Sequence, residues 1–100
     1  MISERAFKIV KLAVEEMADE IGYETLRSVT ADTELFGGPD GIDSLSLVRL
    51  VAEIEREAER ELNKRILLAD ERAMSRRSSP FRTVGTLSEF LEERLGEADA

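Results

Sequence analysis

Apolar residues recur at three- and four-residue steps in three stretches of the chain, the signature of helices that bury one face. The first stretch spans about residues 4–20, with Phe7, Val10, Val14, Met17 and Ile21 on one side. Ser3 is placed to cap its start, Ile2 to pack on Phe7 as a hydrophobic staple, and Gly22 to stop it. The second spans about residues 44–62, where Leu47, Leu50, Val51, Ile54, Ala58 and Leu62 form the stripe. Its polar side is Ser46, Arg49, Glu53, Arg56, Glu57 and Arg60. Asn63 is suited to a left-handed stop, and Glu61–Arg65 has the spacing of a favourable acid-before-base pair. The third opens on Thr86-Leu87-Ser88-Glu89, a capping-box pattern, turns Leu87, Phe90, Leu91 and Leu95 inward, and is expected to fray from Gly96 onwards.

The connections differ in character. Residues 23–41 read as one long loop, rich in the turn formers Thr30, Asp32, Thr33, Gly37, Gly38 and Pro39. Leu26, Val29, Leu35 and Phe36 are its expected anchors in the core. A loop this long in a small domain is usually functional or holds a short helix. A short helix capped by Asp70 is expected over 70–75, then a polar loop to Pro80. No stretch alternates as a strand would. The expectation is an all-α bundle forming one domain over 1–100, with its ordered core at about 3–95.

Composition narrows the function. The chain of 100 residues is 42% hydrophobic and 36% charged, too apolar for a disordered tail and too charged for a membrane span. Its start lacks the layout of a signal peptide, so a cytoplasmic location without membrane insertion is expected. With no His and no Cys, no His-activated nucleophile and no zinc site of nitrogen and sulfur ligands can form. An independent enzyme is therefore not expected, nor a bound metal. The net charge of −8 disfavours nucleic acid and favours basic partner surfaces.

Gly41-Ile42-Asp43-Ser44-Leu45 is the segment with chemistry in it. A glycine-rich loop delivers Asp43-Ser44 to the start of the second helix, where backbone N–H groups are unpaired and the helix dipole is positive. Taken alone, the pair reads first as an ordinary cap followed by a first-turn serine. A phosphate ester on the Ser44 hydroxyl would nonetheless sit in a favourable field. Without a histidine to activate it, Ser44 is a poor catalyst and a good acceptor.

The wider sequence resembles the acyl carrier protein family. Leu35-Phe36-Gly37-Gly38, Gly41-Ile42-Asp43-Ser44-Leu45 and Leu47-Val48-Arg49-Leu50-Val51 carry the resemblance, with Thr30-Ala31-Asp32-Thr33 upstream and Thr83-Val84-Gly85-Thr86-Leu87 downstream. The resemblance covers almost the whole chain. It implies a small four-helix bundle with a short third helix. It implies that Ser44 receives phosphopantetheine from a phosphopantetheinyl transferase using coenzyme A, with Asp43 and Leu45 read by the transferase or partners. Acyl groups would then ride as thioesters on the arm for fatty-acid, lipid or polyketide-type biosynthesis, loaded by ligase or synthase partners, on a carrier expected to be monomeric. Leu47, Val51, Ile54, Ile66 and Leu91 are candidates to line a shelter for the acyl chain, though each taken singly reads first as plain core packing.

The helix after the serine departs from the family's usual acidic face. Ser46, Arg49, Glu53 and Arg56 form a mixed candidate partner face, which implies a specialised carrier rather than a housekeeping one. The helix also reads about one turn longer than usual, and Arg72, Arg76, Arg77 and Arg82 make the segment 72–82 basic. Three rivals stand beside this reading. One is a cofactor-free helical interaction module, and another a peptidyl or aminoacyl carrier. The third is a calcium loop on Asp32, Glu34, Gly37 and Asp43, in which Phe36 stands where an oxygen ligand belongs.

Overall fold

The protein is described here from a computed structural model, which defines residues 3–37, 41–69 and 79–99. Its α-helices are α1 (Glu4–Ile21), α2 (Ser44–Leu62) and α3 (Val84–Asp99), with one 3-10 turn at Glu24–Leu26. The all-α class expected from periodicity is what the structure has. Of the expected four-helix bundle, the described residues hold three α-helices; the short helix expected over 70–75 lies outside them, as does Ile2 of the expected staple.

α1 begins where Ser3 accepts a hydrogen bond from the Ala6 N–H at 3.2 Å. It ends at Gly22, whose φ of +81° lets its N–H reach the Ala18 carbonyl at 2.8 Å. A side chain at that φ would be strained. Val10, Val14 and Met17 are buried as the pattern predicts, joined by Ala6, Ile9, Ala13 and Ala18, while Ile21 is left exposed at the last turn. The small alanines let α1 lie close to both α2 and α3, and it packs on both. The Arg5 guanidinium grips Glu92 of α3 through two hydrogen bonds, of 2.9 and 2.8 Å, and Ser3 also reaches that carboxylate.

α2 stops at Asn63, in the left-handed conformation at φ +54° with its N–H on the Glu59 carbonyl at 2.9 Å. Leu50, Val51, Ile54 and Ala58 are buried, with Leu47 and Leu62 half-buried against the same core. The expected Glu61–Arg65 pair is not the one formed. The helix has already ended at Leu62, the i,i+4 relation is lost, and Arg65 lies 3.4 Å from Glu59 instead.

α3 starts one residue after Thr83 rather than at Thr86. Thr83 and Thr86 cap each other: the Thr86 N–H donates to Thr83 Oγ1 and the Thr83 N–H to Thr86 Oγ1, both at 3.0 Å. This is a capping box in which a threonine does the work of the usual Glu, so the Thr86/Glu89 pattern was displaced by three residues. The helix runs through Gly96 to Asp99, where fraying had been expected. Val84, Leu87, Phe90, Leu91 and Leu95 are buried, Ser88 is buried with its hydroxyl donating to the Val84 carbonyl at 2.7 Å, and Phe81 meets Phe90 edge-on at 6.2 Å.

The loop between α1 and α2 is held by its backbone. The Leu35 N–H donates to the Arg82 carbonyl at 2.7 Å and the Phe36 N–H to the Phe81 carbonyl at 3.1 Å. The Ile42 N–H donates to the Leu35 carbonyl at 2.6 Å, and the Val84 and Gly85 N–H groups to Thr33 and Ala31. Two isolated bridges result, Glu34 with Thr83 and Phe36 with Ile42. Leu26, Val29, Leu35 and Ile42 are the buried anchors. Glu15 of α1 adds a side-chain tie by accepting from the Val29 N–H at 3.3 Å. Leu50, fully buried at the centre of this core, gives a direct check. Leu50→Ala is expected to cost about 2–5 kcal/mol in a denaturant unfolding midpoint, whereas Ala52→Ser on the exposed side of α2 should leave the midpoint nearly unchanged.

Candidate functional site

The site is built from the backbone clamp outward. Ile42, buried and bonded to the Leu35 carbonyl, fixes the chain one residue before the α2 cap. Gly37, at φ +98°, turns the loop away after Phe36 in a conformation that favours glycine. Asp43 then adopts an extended backbone, and its Oδ1 accepts from the Ser46 N–H at 2.7 Å. These bonds favour the charged carboxyl, so its pKa falls below the ordinary value of 3.8; the Ser46 backbone contributes most, then the Ser46 side chain, while desolvation opposes them and the Leu45 N–H adds least.

Ser44 is the first residue of α2 and its side chain is exposed. Its hydroxyl stands on the first turn, at the positive end of the helix dipole, a setting that suits a phosphodiester anion. Leu45, next in the chain, is 80% exposed, and Val48, one turn on, is 66% exposed. Both are large apolar side chains facing solvent beside an accessible hydroxyl. The donor set fits attachment of a phosphate-linked group: a free-standing serine at a capped helix start, with room around it.

The candidate partner-face residues divide. Arg49 and Arg56 point outward, while Ser46 and Glu53 are half-buried. Arg49 forms an ion pair with Glu20 of α1, and Arg56 lies 3.5 Å from Glu53. Of the candidate acyl-lining residues, Val51, Ile54 and Leu91 are closed inside the core. Leu47 and Ile66 are half-buried against it, and Ile66 also borders an open cleft of about 340 Å³ with Arg65, Leu67 and Arg94. That cleft lies beyond the far end of α2, a helix of 19 residues and hence about 28 Å long, so it is remote from Ser44. Of the residues in the calcium-loop reading, Asp43 has one carboxylate oxygen on the cap, and Glu34 is exposed, with only its backbone bridged to Thr83. Of the basic segment 72–82, residues 72–78 lie outside the described residues, and Arg82 is exposed.

Sequence reasoning placed Glu57 on the polar side of α2, yet it is 2% exposed and paired with Arg60. The signal was present: Glu57 stands seven residues from Leu50, two turns along the same edge of the stripe. Carboxylate oxygens of Glu16, Glu53 and Glu57 lie within 4.8 Å of one another along the seam between α1 and α2. Such a pairing across helices has no signature within either helix alone. Glu55 also turns inward, accepting from the Leu68 N–H at 2.8 Å and tying the chain after α2 back to the helix.

The Asp43 cap predicts a pH signature. A carboxyl with a lowered folded-state pKa stabilises the fold above its unfolded value, and that contribution fades as pH falls through the lower folded value. Asp43→Ala should therefore melt below the parent at pH 7. The gap between the two melting temperatures should close as pH drops below about 4. A gap that stays constant from neutral to strongly acidic pH would contradict the cap's role.

Comparison with known proteins bears on the same segment. No curated protein and no solved structure was found to match the chain. A family described as the phosphopantetheine attachment site matches residues 11–72, a span that holds α2, the loop before it and most of α1. The chain belongs to the phosphopantetheine attachment family, and its cofactor is a covalently held phosphopantetheine arm.

Proposed function

We propose that this protein is an acyl carrier, with the phosphopantetheine arm attached to Ser44 Oγ and acyl intermediates of lipid or polyketide-type biosynthesis carried on it. The observation that supports the assignment is the exposed Ser44 hydroxyl at the capped start of α2, inside the matched span. The terminal thiol of the bound arm holds acyl groups as thioesters, which a chain without cysteine cannot do by itself.

The residues of the chain present and position that arm. Asp43 holds the first turn of α2 in register, so Ser44 meets the transferase on a rigid helix rather than a loop. Leu45 gives the transferase and later partners an apolar contact beside the attachment atom. No base of the chain is needed, because the Ser44 proton is taken by a group of the transferase. Catalysis belongs to the partners; the carrier raises the local concentration of a tethered substrate at each active site in turn. Since Val51, Ile54 and Leu91 are closed in the core, an acyl chain reaching them must part α2 from its neighbours, and solvent or the partner's active site is its resting place otherwise. The mixed charge of α2 supports a specialised carrier with its own partners. Among the described residues no helix is long and apolar enough to cross a membrane.

The test is an intact mass after co-expression with a broad-specificity phosphopantetheinyl transferase. The parent should gain the mass of one phosphopantetheine and Ser44→Ala none, at unchanged helicity. Gain at another residue would overturn the assignment of Ser44. Loading the arm with fatty acyl and aminoacyl groups by their respective ligases then separates an acyl from an aminoacyl carrier.

A further inference from the structure

The whole chain is acidic, yet beyond the exposed cap Asp43 the outward positions of α2 next to Ser44 carry positive charge. Over residues 44–58 of α2 the exposed positions are Ser44, Leu45, Val48, Arg49, Ala52 and Arg56. They follow one another at three- and four-residue steps and so share one face. No carboxylate is among them. Each acid of this stretch is turned inward and occupied: Glu53 is half-buried beside Arg56, Glu55 accepts from the Leu68 N–H, and Glu57 is buried against Arg60. What remains outside is an apolar ridge of Leu45, Val48 and Ala52 flanked by Arg49 and Arg56, whose side chains are 55% and 67% exposed.

We infer that this stripe is a docking surface for partner enzymes whose carrier-facing recess is apolar and bordered by carboxylates. The inference rests on the acyl-carrier reading with the arm on Ser44, and it specifies the chemistry of the partner. A net charge of −8 points towards basic partners; the stripe reverses that expectation where contact is made. Glu20 and Glu53 accompany the two arginines, but these pairs are more than half solvent-exposed on the arginine side and such pairs contribute little. A carboxylate presented in a desolvated recess competes with them on favourable terms, as a bidentate partner of a guanidinium. The ridge supplies the apolar centre and the arginines the charged border of a protein interface. An anionic membrane would meet the same arginines but also the many exposed acids of α1 and α3, which repel it.

The test uses the full chain, coenzyme A and a phosphopantetheinyl transferase whose carrier-docking surface is basic. Arg49→Glu/Arg56→Glu should be modified about tenfold faster than the parent, because the substitution removes repulsion. Added salt should speed the parent and slow the variant. A gain of activity cannot arise from misfolding. Arg56→Glu alone, which leaves the Arg49–Glu20 tie between α1 and α2 intact, should give part of the gain. In a second arm, the unmodified parent is titrated with a synthetic amphipathic peptide of Glu and Leu, and with its twin of Lys and Leu. Amide shifts over residues 45–56 are expected with the acidic peptide alone. Equal or slower modification of the variants, stronger binding of the Lys peptide, or co-sedimentation of the parent with phosphatidylserine vesicles and no peptide preference would each overturn the inference. If no chain gains phosphopantetheine at Ser44, it is the carrier reading that falls, and the docking inference with it.

Discussion

Leu35 is the residue on which the arrangement of the site depends. Its side chain is fully buried, so neither of its backbone polar groups can turn to water. Each has one partner: the N–H donates to Arg82 just before α3, and the carbonyl accepts from Ile42 just before α2. Leaving either group unpaired in the core would cost about 1–3 kcal/mol. The apolar side chain therefore drives the loop inward, and the buried peptide groups dictate which two segments it must touch. Leu35 thus ties the starts of α2 and α3 to each other directly, and the bonds of its neighbours in the loop reinforce the tie.

From that clamp the exposure of Ser44 follows. Ile42 is the last buried residue before the helix, and Asp43 turns its carboxylate onto the Ser46 N–H. The next position in register is then the first outward-facing one of α2. The same geometry that exposes the hydroxyl puts it on the first turn of α2, where the helix dipole favours a negative charge. A rigid helix end, an accessible oxygen and a tolerated negative charge are what a tethering point requires, and they are available without a histidine or a cysteine in the chain.

Much of this was legible in the sequence, and the reasons for the misses are physical. The boundaries of α1 and α2 were encoded by local chemistry, Ser3 and Gly22 at one and Asp43 and Asn63 at the other, because caps are decided by the residues within a turn of them. The family was legible for the same reason, since the motif Gly41-Ile42-Asp43-Ser44-Leu45 is contiguous and lies inside the matched span 11–72. The start of α3 was misplaced because two adjacent capping patterns compete there, and the pairing of Val84 and Gly85 with Thr33 and Ala31 selects the earlier one. The burial of Glu57, the cluster it forms with Glu16 and Glu53, and the Arg49–Glu20 pair all require knowing how α1 lies against α2. Helical periodicity assigns a residue to a face but not to a neighbour. The acyl-lining candidates illustrate the limit from the other side: periodicity put Val51, Ile54 and Leu91 inward correctly and cannot say whether the interior they share opens.

The inward turn of the α2 carboxylates changes what the overall charge means. Charges separated by more than about 8 Å are largely screened at physiological ionic strength, and α2 with its 19 residues is several such lengths from end to end. A partner lying along α2 therefore senses the charges on the face it covers and little of the rest. There the sequence has acids at Glu53, Glu55 and Glu57, enough to make the segment look mixed when read as a string. Folding spends those acids internally, on a backbone N–H, on the α1–α2 seam and on neighbouring arginines. The guanidiniums, on longer and more flexible stems, stay at the surface with their charge available. An acidic chain thus has, on the outward side of α2 between Leu45 and Arg56, a face whose exposed charges are arginines.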